Sequence, residues 1–333
     1  MTAPKIASEI EHLWQQAVHT MHNLDERAHG WFGVLANAFK ETIKPASAVT
    51  SAAIAYFALF SLFPIVLLSI SIASFNLGPL MDQQLIVKEF EFIAPALGQL
   101  LGQGMAIALA EAGADIASLD RIGCEGTCES VRALGRRYHE SVVDLREASV
   151  TYLNLTVAQI VKEFGRIDIL VNNAGTIRRT PAIDFSETDW DDVLQINLKA
   201  AFFLSQAVGR IMMSQRGGKI INIASMLSFQ GGITVPSYTA AKSGLAGITR
   251  ALANEWAKHG INVNAIAPGY MATDNTTALR ADPDRSKSII EHIPAGRWGL
   301  PEDLKGAVVF LASPASDYIH GAILPVDGGW LTR

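Results

Sequence analysis

The sequence predicts an α/β fold in which helices cover both faces of a doubly wound, Rossmann-like parallel sheet. Two observations support this prediction. Short runs rich in β-branched residues alternate with helical patterns from about residue 101 to residue 333, and such alternation is typical of parallel sheets. Several runs end in polar or glycine residues, at the edge where such sheets bind ligands.

The predicted strands are short and rich in β-branched residues. They cover residues 115–119, 141–145, 167–171, 219–224, 261–267 and 322–326. An earlier first strand is expected over residues 89–95. Glu89, Glu91 and Pro95 fit a central strand poorly, because carboxylates resist burial and proline lacks a ladder donor. The first strand of the sheet is therefore in doubt.

Helix signals lie between the strands. Ser186 and Asp189 have the spacing of a capping box, residues 237–259 have the pattern of a long helix, and Pro301 stands where another helix begins. These signals place helices between the predicted strands, as the doubly wound arrangement requires.

The N-terminal third differs in character, and we predict two domains, residues 1–97 and residues 98–333. No charged residue occurs between Lys44 and Asp82, and residues 52–77 are almost continuously apolar. A membrane helix needs about 20 such residues, so a membrane-inserting helical extension is predicted. Lys40 and Lys44 precede the run and favour a cytoplasmic N-terminus. One crossing would then export the following domain, so an interfacial segment, the opposite orientation and a buried soluble helix remain alternatives.

Composition narrows the function classes. The chain has 333 residues and a net charge of −5, so no basic field indicates nucleic acid. Cys124 and Cys128 have no second pair with which to build a metal site. No metal is predicted, and the two cysteines are read as thiols in a reducing compartment.

The most informative residues are Ser225, Tyr238 and Lys242. A phenol has a pKa of about 10 and is a weak acid or base at neutral pH. A lysine four residues later lies on the same helix face, and its charge is expected to lower the pKa of Tyr238. The serine hydroxyl can hold a carbonyl or alcohol oxygen beside the phenol. This arrangement predicts proton transfer in alcohol/ketone interconversion.

Polar residues at strand ends are candidates for binding a dinucleotide. Asp120 follows a predicted strand, where a carboxylate accepts from ribose hydroxyls and repels a 2′-phosphate. Arg121 leaves NADP as the less favoured alternative to NAD. Asp144 and Leu145 end the next strand and are candidates for contact with adenine. For Asp120, a solvated turn residue is the alternative interpretation.

The string Asn172-Asn173-Ala174-Gly175 follows another predicted strand. Small and amide residues there let the backbone approach a cofactor and tie neighbouring strands together, and a generic turn is the alternative.

Three further residues extend this set. Asn197 lies within a helical pattern, where it either caps a kink or holds a water that links Lys242 to solvent. Pro268 and Gly269 follow a strand and are expected to shape the nicotinamide pocket.

Together these residues resemble the classical short-chain dehydrogenase/reductase family over residues 101–333. The resemblance implies an NAD(P)-dependent enzyme acting on CH–OH groups, with Tyr238 as general acid/base. It implies that Ser225 positions the substrate oxygen, that Lys242 binds the ribose, and that Asn197 supports a proton relay.

Longer strings, such as I-N-I-A-S-M-L-S-F-Q-G-G and N-A-I-A-P-G-Y-M-A-T, are similar to the 2-deoxy-D-gluconate 3-dehydrogenases. That similarity implies a sugar-acid substrate, NAD(H), a homotetramer and a cytoplasmic catalytic domain, here with a possible membrane attachment through residues 52–77. Arg178 and Arg179 are candidates for the substrate carboxylate, and a solvated loop pair is the plain alternative. Thr234 stands where an arginine is expected.

The phosphate-binding loop departs from the family pattern. The last motif glycine should precede the acid at 120 by eighteen residues, which selects Gly102 rather than Gly104. The other two glycine positions hold Ala96 and Leu100, so only the third glycine is present. A missing glycine hinders the close approach of backbone to pyrophosphate.

The upstream residues 1–98 resemble the N-terminal part of YihY/BrkB family membrane proteins. The function alternative to a sugar-acid dehydrogenase is therefore a chimeric or truncated membrane protein with a catalytically impaired dehydrogenase domain.

Overall fold

The computed structural model describes residues 100–273 and 276–333, and nothing structural is stated for the rest. The α-helices are α1 Leu100–Glu111, α2 Glu125–Ala133, α3 Val150–Phe164, α4 Glu187–Leu194, α5 Ala201–Gln215, α6 Pro236–Trp256, α7 Thr277–Ala281, α8 Pro283–His292 and α9 Lys305–Ala312. The strands are β1 Ile116–Asp120, β2 Tyr138–Val142, β3 Ile169–Asn172, β4 Gly218–Ile223, β5 Ile261–Pro268 and β6 Ile323–Val326.

All six strands pair in parallel, but they form two sheets. One contains β1 and β2, and the other has the order β3-β4-β5-β6. Within the described residues, no strand joins β1 to β3. The doubt about the first strand, expected over residues 89–95, thus concerns the position where the two sheets separate, and those residues lie outside the described part.

Two apolar clusters lie on opposite faces of the sheets. One joins Met105 and Leu109 of α1 to Ile116 of β1, Ile266 of β5 and Val308 of α9. The other is built largely from α3, α5, β4 and β5, and Leu119 of β1 and Leu170 of β3 pack against it. Because each cluster contacts both sheets, helices cover both faces as the doubly wound prediction requires.

Most predicted elements agree with the structure to within a few residues. The exception is the second strand, which spans Tyr138–Val142 instead of residues 141–145. The shift agrees with a contact between the two strands, because the Tyr138 hydroxyl of β2 lies 2.7 Å from the Ser118 hydroxyl of β1. Asp144 and Leu145 consequently follow the strand rather than end it.

The predicted helix signals act as expected. Ser186 Oγ accepts from the Asp189 amide at 3.1 Å and begins α4. The long helix ends at Trp256 and continues as a 3-10 turn that Gly260 closes with φ 75°. Pro301 begins a 3-10 turn that leads into α9.

Among the described residues, no helix is long and apolar enough to cross a membrane. Three predictions lie wholly outside those residues and stay predictions: the membrane segment at residues 52–77, the domain of residues 1–97, and the YihY/BrkB resemblance of residues 1–98.

Candidate active site

The end of β4 and the first turns of α6 bring the three predicted catalytic residues together. Ser225 follows β4 and is buried, and its Oγ accepts from the Leu227 amide at 3.2 Å. Pro236 begins α6, so that Tyr238 and Lys242 lie one turn apart on the same face. Tyr238 forms a side-chain hydrogen bond with Ser225. A substrate oxygen placed between these hydroxyls would contact both.

Lys242 is buried, with 3% of its surface exposed. Its Nζ donates to the Ile223 carbonyl at 2.6 Å and lies 5.5 Å from the centre of the Tyr238 ring. Burial lowers the pKa of Lys242 to about 8, because the charged ammonium is disfavoured away from water. The Lys242 ammonium therefore lies close to the Tyr238 phenol, and its protonation depends on how far it is shielded from water.

The pKa of Tyr238 is raised rather than lowered, so the predicted net lowering is not observed, and the contribution of Lys242 itself stays a prediction. Burial raises the pKa of Tyr238, and the two opposing influences are the Ser225 hydrogen bond and the charge of Arg179. The physical reason is that desolvation of the phenolate outweighs both. Arg179 thus contributes a positive charge at the reacting phenol.

Asn197 lies in a π-helical segment, Gln195–Ala200, between α4 and α5. Its Nδ2 donates to the carbonyls of Val193 at 2.9 Å and Thr176 at 2.8 Å, so the predicted irregularity of the helix is present. Its Oδ1 is buried without a protein partner. A Cβ atom on Gly175 would lie 2.7 Å from that oxygen and 3.7 Å from Lys242 Nζ. Glycine therefore keeps open a small space between Asn197 and Lys242.

The residues predicted to bind adenosine lie at the ends of β1 and β2. Asp120 is the last residue of β1, and its Oδ1 accepts from the Ile122 amide at 3.4 Å. Arg121 is exposed beside it. Asp144 accepts from the Arg146 amide at 2.9 Å, and the Leu145 carbonyl accepts from Gln195 at 3.1 Å. The two acids face the loops that follow their strands.

Asn172 ties two strands together, as predicted for this string. Its Nδ2 donates to Ser205 at 2.9 Å and to Asn222 of β4 at 2.8 Å, and Asn222 donates in turn to Thr249 at 2.9 Å. These side chains are buried. Ala174 and Gly175, in contrast, are exposed at the end of the loop, where a cofactor can reach their backbone.

Two glycines are required by close contacts. A Cβ atom on Gly102 would lie 2.8 Å from Asn173 Nδ2, so the start of α1 packs against the end of β3. A Cβ atom on Gly269 would lie 2.6 Å from the Cα atom of Asp327. Pro268 ends β5 directly before it. Packing against Asn173 thus favours glycine at position 102, independently of the predicted contact with phosphate.

The two candidate arginines have different surroundings. Arg178 pairs with Asp189 at 3.2 Å and with Asp192 at 3.7 Å. Arg179 is exposed, and its charge reaches Tyr238 and Tyr270. The Thr234 carbonyl accepts from the Thr180 amide at 2.9 Å and so connects this loop to the start of α6. Arg179 is therefore the arginine on the side of the catalytic phenol.

Sequence reasoning missed Tyr270. It contacts the rings of Trp298 at 5.6 Å and Trp330 at 4.7 Å between centroids. Its only signal was its position directly after Pro268-Gly269. Three aromatic rings from separate loops thus form an apolar wall within electrostatic reach of Arg179.

The described residues fit a nicotinamide dinucleotide at its reactive end. Gly175 and Gly269 keep the backbone open, and the buried Asn197 oxygen retains acceptor capacity. At the phosphate end, Gly102 is the single motif glycine, and the rest of the loop lies outside the described residues.

Comparisons with known proteins agree with this geometry. A family model for short-chain dehydrogenases, described as enoyl-(acyl carrier protein) reductase, matches residues 98–331. The chain is similar to 2-dehydro-3-deoxy-D-gluconate 5-dehydrogenase of Dickeya dadantii, with 62% identity over 234 residues, or 70% of this chain and 92% of that protein.

Two solved structures extend the likeness. A protein of Agrobacterium tumefaciens with bound NADP shares 52% identity and a TM-score of 0.63, covering 70% of this chain and 92% of that one. An NAD+-bound xylitol dehydrogenase shares 33% identity and a TM-score of 0.66, covering 70% of this chain and 95% of that chain.

Proposed function

The chain belongs to the short-chain dehydrogenase/reductase family, and we propose that it interconverts a secondary alcohol and a ketone on a sugar acid of the 2-dehydro-3-deoxy-gluconate type. It is an NAD(P)-dependent oxidoreductase. The arrangement of Ser225, Tyr238 and Lys242 carries the proposal, because it places a proton donor beside the position where Ser225 would hold a carbonyl oxygen. The alternative, an impaired domain in a membrane protein, is not favoured by the high identity to curated dehydrogenases.

The proposed reaction moves two electrons as a hydride between the substrate carbon and the nicotinamide, which supplies that chemistry when bound. In the oxidative direction the alcohol carbon loses hydride and the alcohol oxygen loses its proton to Tyr238 Oη. Ser225 holds the oxygen in place. In the reductive direction Tyr238 returns the proton as the carbon gains hydride.

A relay then connects the phenol to solvent. Lys242 lies beside the Tyr238 ring, and the unpartnered Asn197 oxygen faces the same space beside Gly175. A water held between Asn197 and Lys242 would satisfy that oxygen and would give Lys242 a partner for proton exchange beside Tyr238.

We assign the substrate carboxylate to Arg179 rather than Arg178. Arg178 pairs with Asp189 and Asp192, and its charge is not among those that act on Tyr238. Arg179 acts on Tyr238 and therefore lies on the side where the substrate must bind. A guanidinium there gives a charge-assisted hydrogen bond to a carboxylate.

For the cofactor we propose a preference for NAD, with NADP also accepted. Asp120 ends β1, where a carboxylate favours ribose hydroxyls over a 2′-phosphate. Arg121 is exposed next to it and can neutralise a phosphate. Comparing kcat/KM for NAD and NADP tests this preference, and a higher value for NADP would reverse it.

We also propose a homotetramer with a cytoplasmic catalytic domain, where the cofactor pool lies. Exposed apolar side chains on α3, Tyr152 and Leu155, support association. Light scattering of the purified chain tests the tetramer. The membrane attachment through residues 52–77 is tested by partition of the full chain between membrane and soluble fractions.

The decisive experiment is cofactor binding followed by turnover with the full chain. Energy transfer from tryptophan to NADH or NADPH should give a saturable signal. Reduction of a 3-deoxy-2,5-dioxo sugar acid should then consume the reduced cofactor, while the same ketone lacking its carboxylate should react poorly. Absence of saturable binding of either cofactor, or of turnover on any sugar acid, would contradict the proposal.

A further inference from the structure

Two loops of the candidate site are bonded to the same stretch of helix. Residues 144–146, which we call the adenine loop, follow β2 and include the two candidates for contact with adenine. Residues 176–180, which we call the substrate loop, follow β3 and include the two candidate arginines. Both loops bond to α4 or to the π-helical segment Gln195–Ala200. This stretch of helix thus contacts both halves of the predicted site.

The adenine loop is held to the helix at two points. Gln195 Nε2 donates to the Leu145 carbonyl at 3.1 Å, and Arg146 Nε lies 3.3 Å from Asp192 Oδ2. Asp144 Oδ1 accepts from the Arg146 amide at 2.9 Å, so the loop is also bonded to itself. Asp192 and Gln195 are three residues apart and share one helix face. The position of the adenine loop therefore depends on that face.

The substrate loop is held to the same stretch of helix. Asn197 Nδ2 donates to the Thr176 carbonyl at 2.8 Å. Arg178 Nε lies 3.2 Å from Asp189 Oδ1, and its Nη2 lies 3.7 Å from Asp192 Oδ2. The other end of the loop bonds to the segment before α6. The arginine that we assign to the substrate carboxylate lies between these attachment points.

Asp192 is the residue that the two loops share. The same oxygen, Oδ2, faces Arg146 and Arg178, and 18% of the side chain is exposed. Arg146 Nε is buried and forms no hydrogen bond within the described residues, so it depends on the charge of this carboxylate. Ion pairs that form a network contribute more than an isolated surface pair does. A movement of one loop therefore changes the electrostatic energy of the other.

We propose that Asp192 is a positioning residue that couples the adenine loop to the substrate loop, so that the adenosine half of the cofactor and the sugar acid favour each other's binding. The inference rests on the proposed function for the identity of these two ligands. Adenosine bound at the adenine loop would order Arg146, and through Asp192 it would order Arg178. Arg179, the next residue, would then be held toward the substrate carboxylate. Asp192 itself would touch neither ligand.

A purely structural role of Asp192 predicts a different result. Loss of the carboxylate would then lower the stability of the protein or weaken each ligand separately, without changing the effect of one ligand on the other. Coupling between two ligands is reciprocal, because each must change the affinity of the other by the same factor. This coupling factor therefore separates a positioning role from a packing role.

ADP is the probe for the adenosine half, because it lacks the nicotinamide through which a cofactor could contact the substrate directly. Calorimetric titration of the full chain with ADP, with and without a saturating 3-deoxy-2-oxo sugar acid, gives the coupling factor. We expect the sugar acid to tighten ADP binding about fivefold in the unmodified chain. In Asp192→Asn the factor should fall below about twofold, because the shared charge is lost.

Asp191→Asn, at the exposed neighbouring position, is the matched control and should keep the full coupling factor. The proposal would be overturned by an equal factor in Asp192→Asn and the unmodified chain. Absence of coupling in the unmodified chain would overturn it as well.

A second measurement covers the case in which Asp192→Asn does not fold, and it uses neither ligand. In Arg146→Gln, hydrogen exchange of the Thr180 amide, which donates to the Thr234 carbonyl at 2.9 Å, should be about threefold faster than in the unmodified chain, because the substrate loop opens more readily. Arg166→Gln removes an ion pair with Asp168 at the amino end of β3 and should leave this amide unchanged. Unchanged exchange in Arg146→Gln would count against the coupling and overturn the proposal.

Failure of this inference is distinguishable from failure of the proposed function. A chain that reduces the sugar acid but has the same coupling factor in Asp192→Asn would overturn the inference alone. Binding of NADH without binding of ADP would also overturn it alone, because no adenosine half would be recognised by itself. Absence of binding of both NADH and ADP would contradict the proposed function, and the inference with it.

Discussion

The two sheets of the molecule differ in how completely they are built. All eight residues of β5 are buried between β4 and β6, whereas only Ile116 and Tyr138 are buried in β1 and β2. Asp120, predicted to hold adenosine, ends a strand of the first sheet, whereas the predicted catalytic residues lie in the loop and the helix that follow β4 of the second. The predicted catalytic residues are thus supported by a continuous core. The positions of the predicted nucleotide-binding residues depend on how the two sheets are held together.

The largest expected effect is a loss of kcat on removal of the Tyr238 hydroxyl, beside the more deeply buried second sheet. Tyr238→Phe removes the proton donor and acceptor, and general acid–base catalysis contributes about 10²–10⁴-fold. We expect kcat to fall about 10³-fold, with cofactor affinity almost unchanged, measured by NADH consumption and fluorescence titration. Tyr152→Phe, on the exposed face of α3, is the control and should keep full activity. Retained activity in Tyr238→Phe would remove the phenol from the mechanism.

A matched pair of core substitutions compares the stability of the two sheets directly. Ile266 of β5 and Ile116 of β1 belong to the same apolar cluster. Ile266→Ala should cost about 3–4 kcal/mol of unfolding free energy, as for other fully buried residues. Ile116→Ala should cost roughly half as much by the same comparison, because β1 pairs only with β2 among the described strands and its surroundings can relax.

Urea denaturation of both variants measures these costs. Equal losses would show that the first sheet is packed as firmly as the second.

A charge substitution tests which loop residue serves the substrate. Arg179→Gln should raise KM for the sugar acid about tenfold or more, since a hydrogen bond to a charged group contributes about 1.5–3 kcal/mol. Arg178→Gln, which loses the pairs with Asp189 and Asp192, should affect stability more than KM. If the two variants behave in reverse, the carboxylate is bound by Arg178.

The smallest effect concerns the stability cost of Lys242. Its pKa is lowered from 10.5 to about 8, which corresponds to roughly 3 kcal/mol against folding when the lysine is protonated. Lys242→Met also loses a hydrogen bond to the Ile223 carbonyl, worth about 1 kcal/mol. We therefore expect the inactive variant to be more stable by about 1–2 kcal/mol at pH 7.

Because the pKa of Lys242 is lowered in the folded state, the stability of the protein should depend on pH in a defined direction. Below pH 8 both folded and unfolded lysines are protonated and the full cost is present. Between about pH 8 and 10.5 the folded state releases its proton first, so the stability of the unmodified chain rises. The melting-temperature gap to Lys242→Met should narrow in that window. A melting-temperature difference that does not change with pH would show that Lys242 is not shielded from water in the folded state.

Much of this architecture was predictable from local signals. The Ser186 cap, the long helix carrying Tyr238 and the strand before Asn172 each depend on a few neighbouring residues. The start of β2 was not, because the observed start agrees with a contact between residues of different strands, Ser118 and Tyr138. The rise in the Tyr238 pKa and the separate partners of Arg178 and Arg179 depend on burial and on distances in three dimensions, which spacing in the chain does not contain.

The buried amides of Asn172 and Asn222 have a consequence for how the sheet assembles. They are opposite each other in the pairing of β3 with β4, and they bond at that position. Sliding one strand by a single residue would turn one amide toward the other face and leave polar groups in an apolar interior. Folding intermediates with a misaligned register are therefore less stable. The two amides thus favour the correct register of β4, the strand that leads into the loop carrying Ser225.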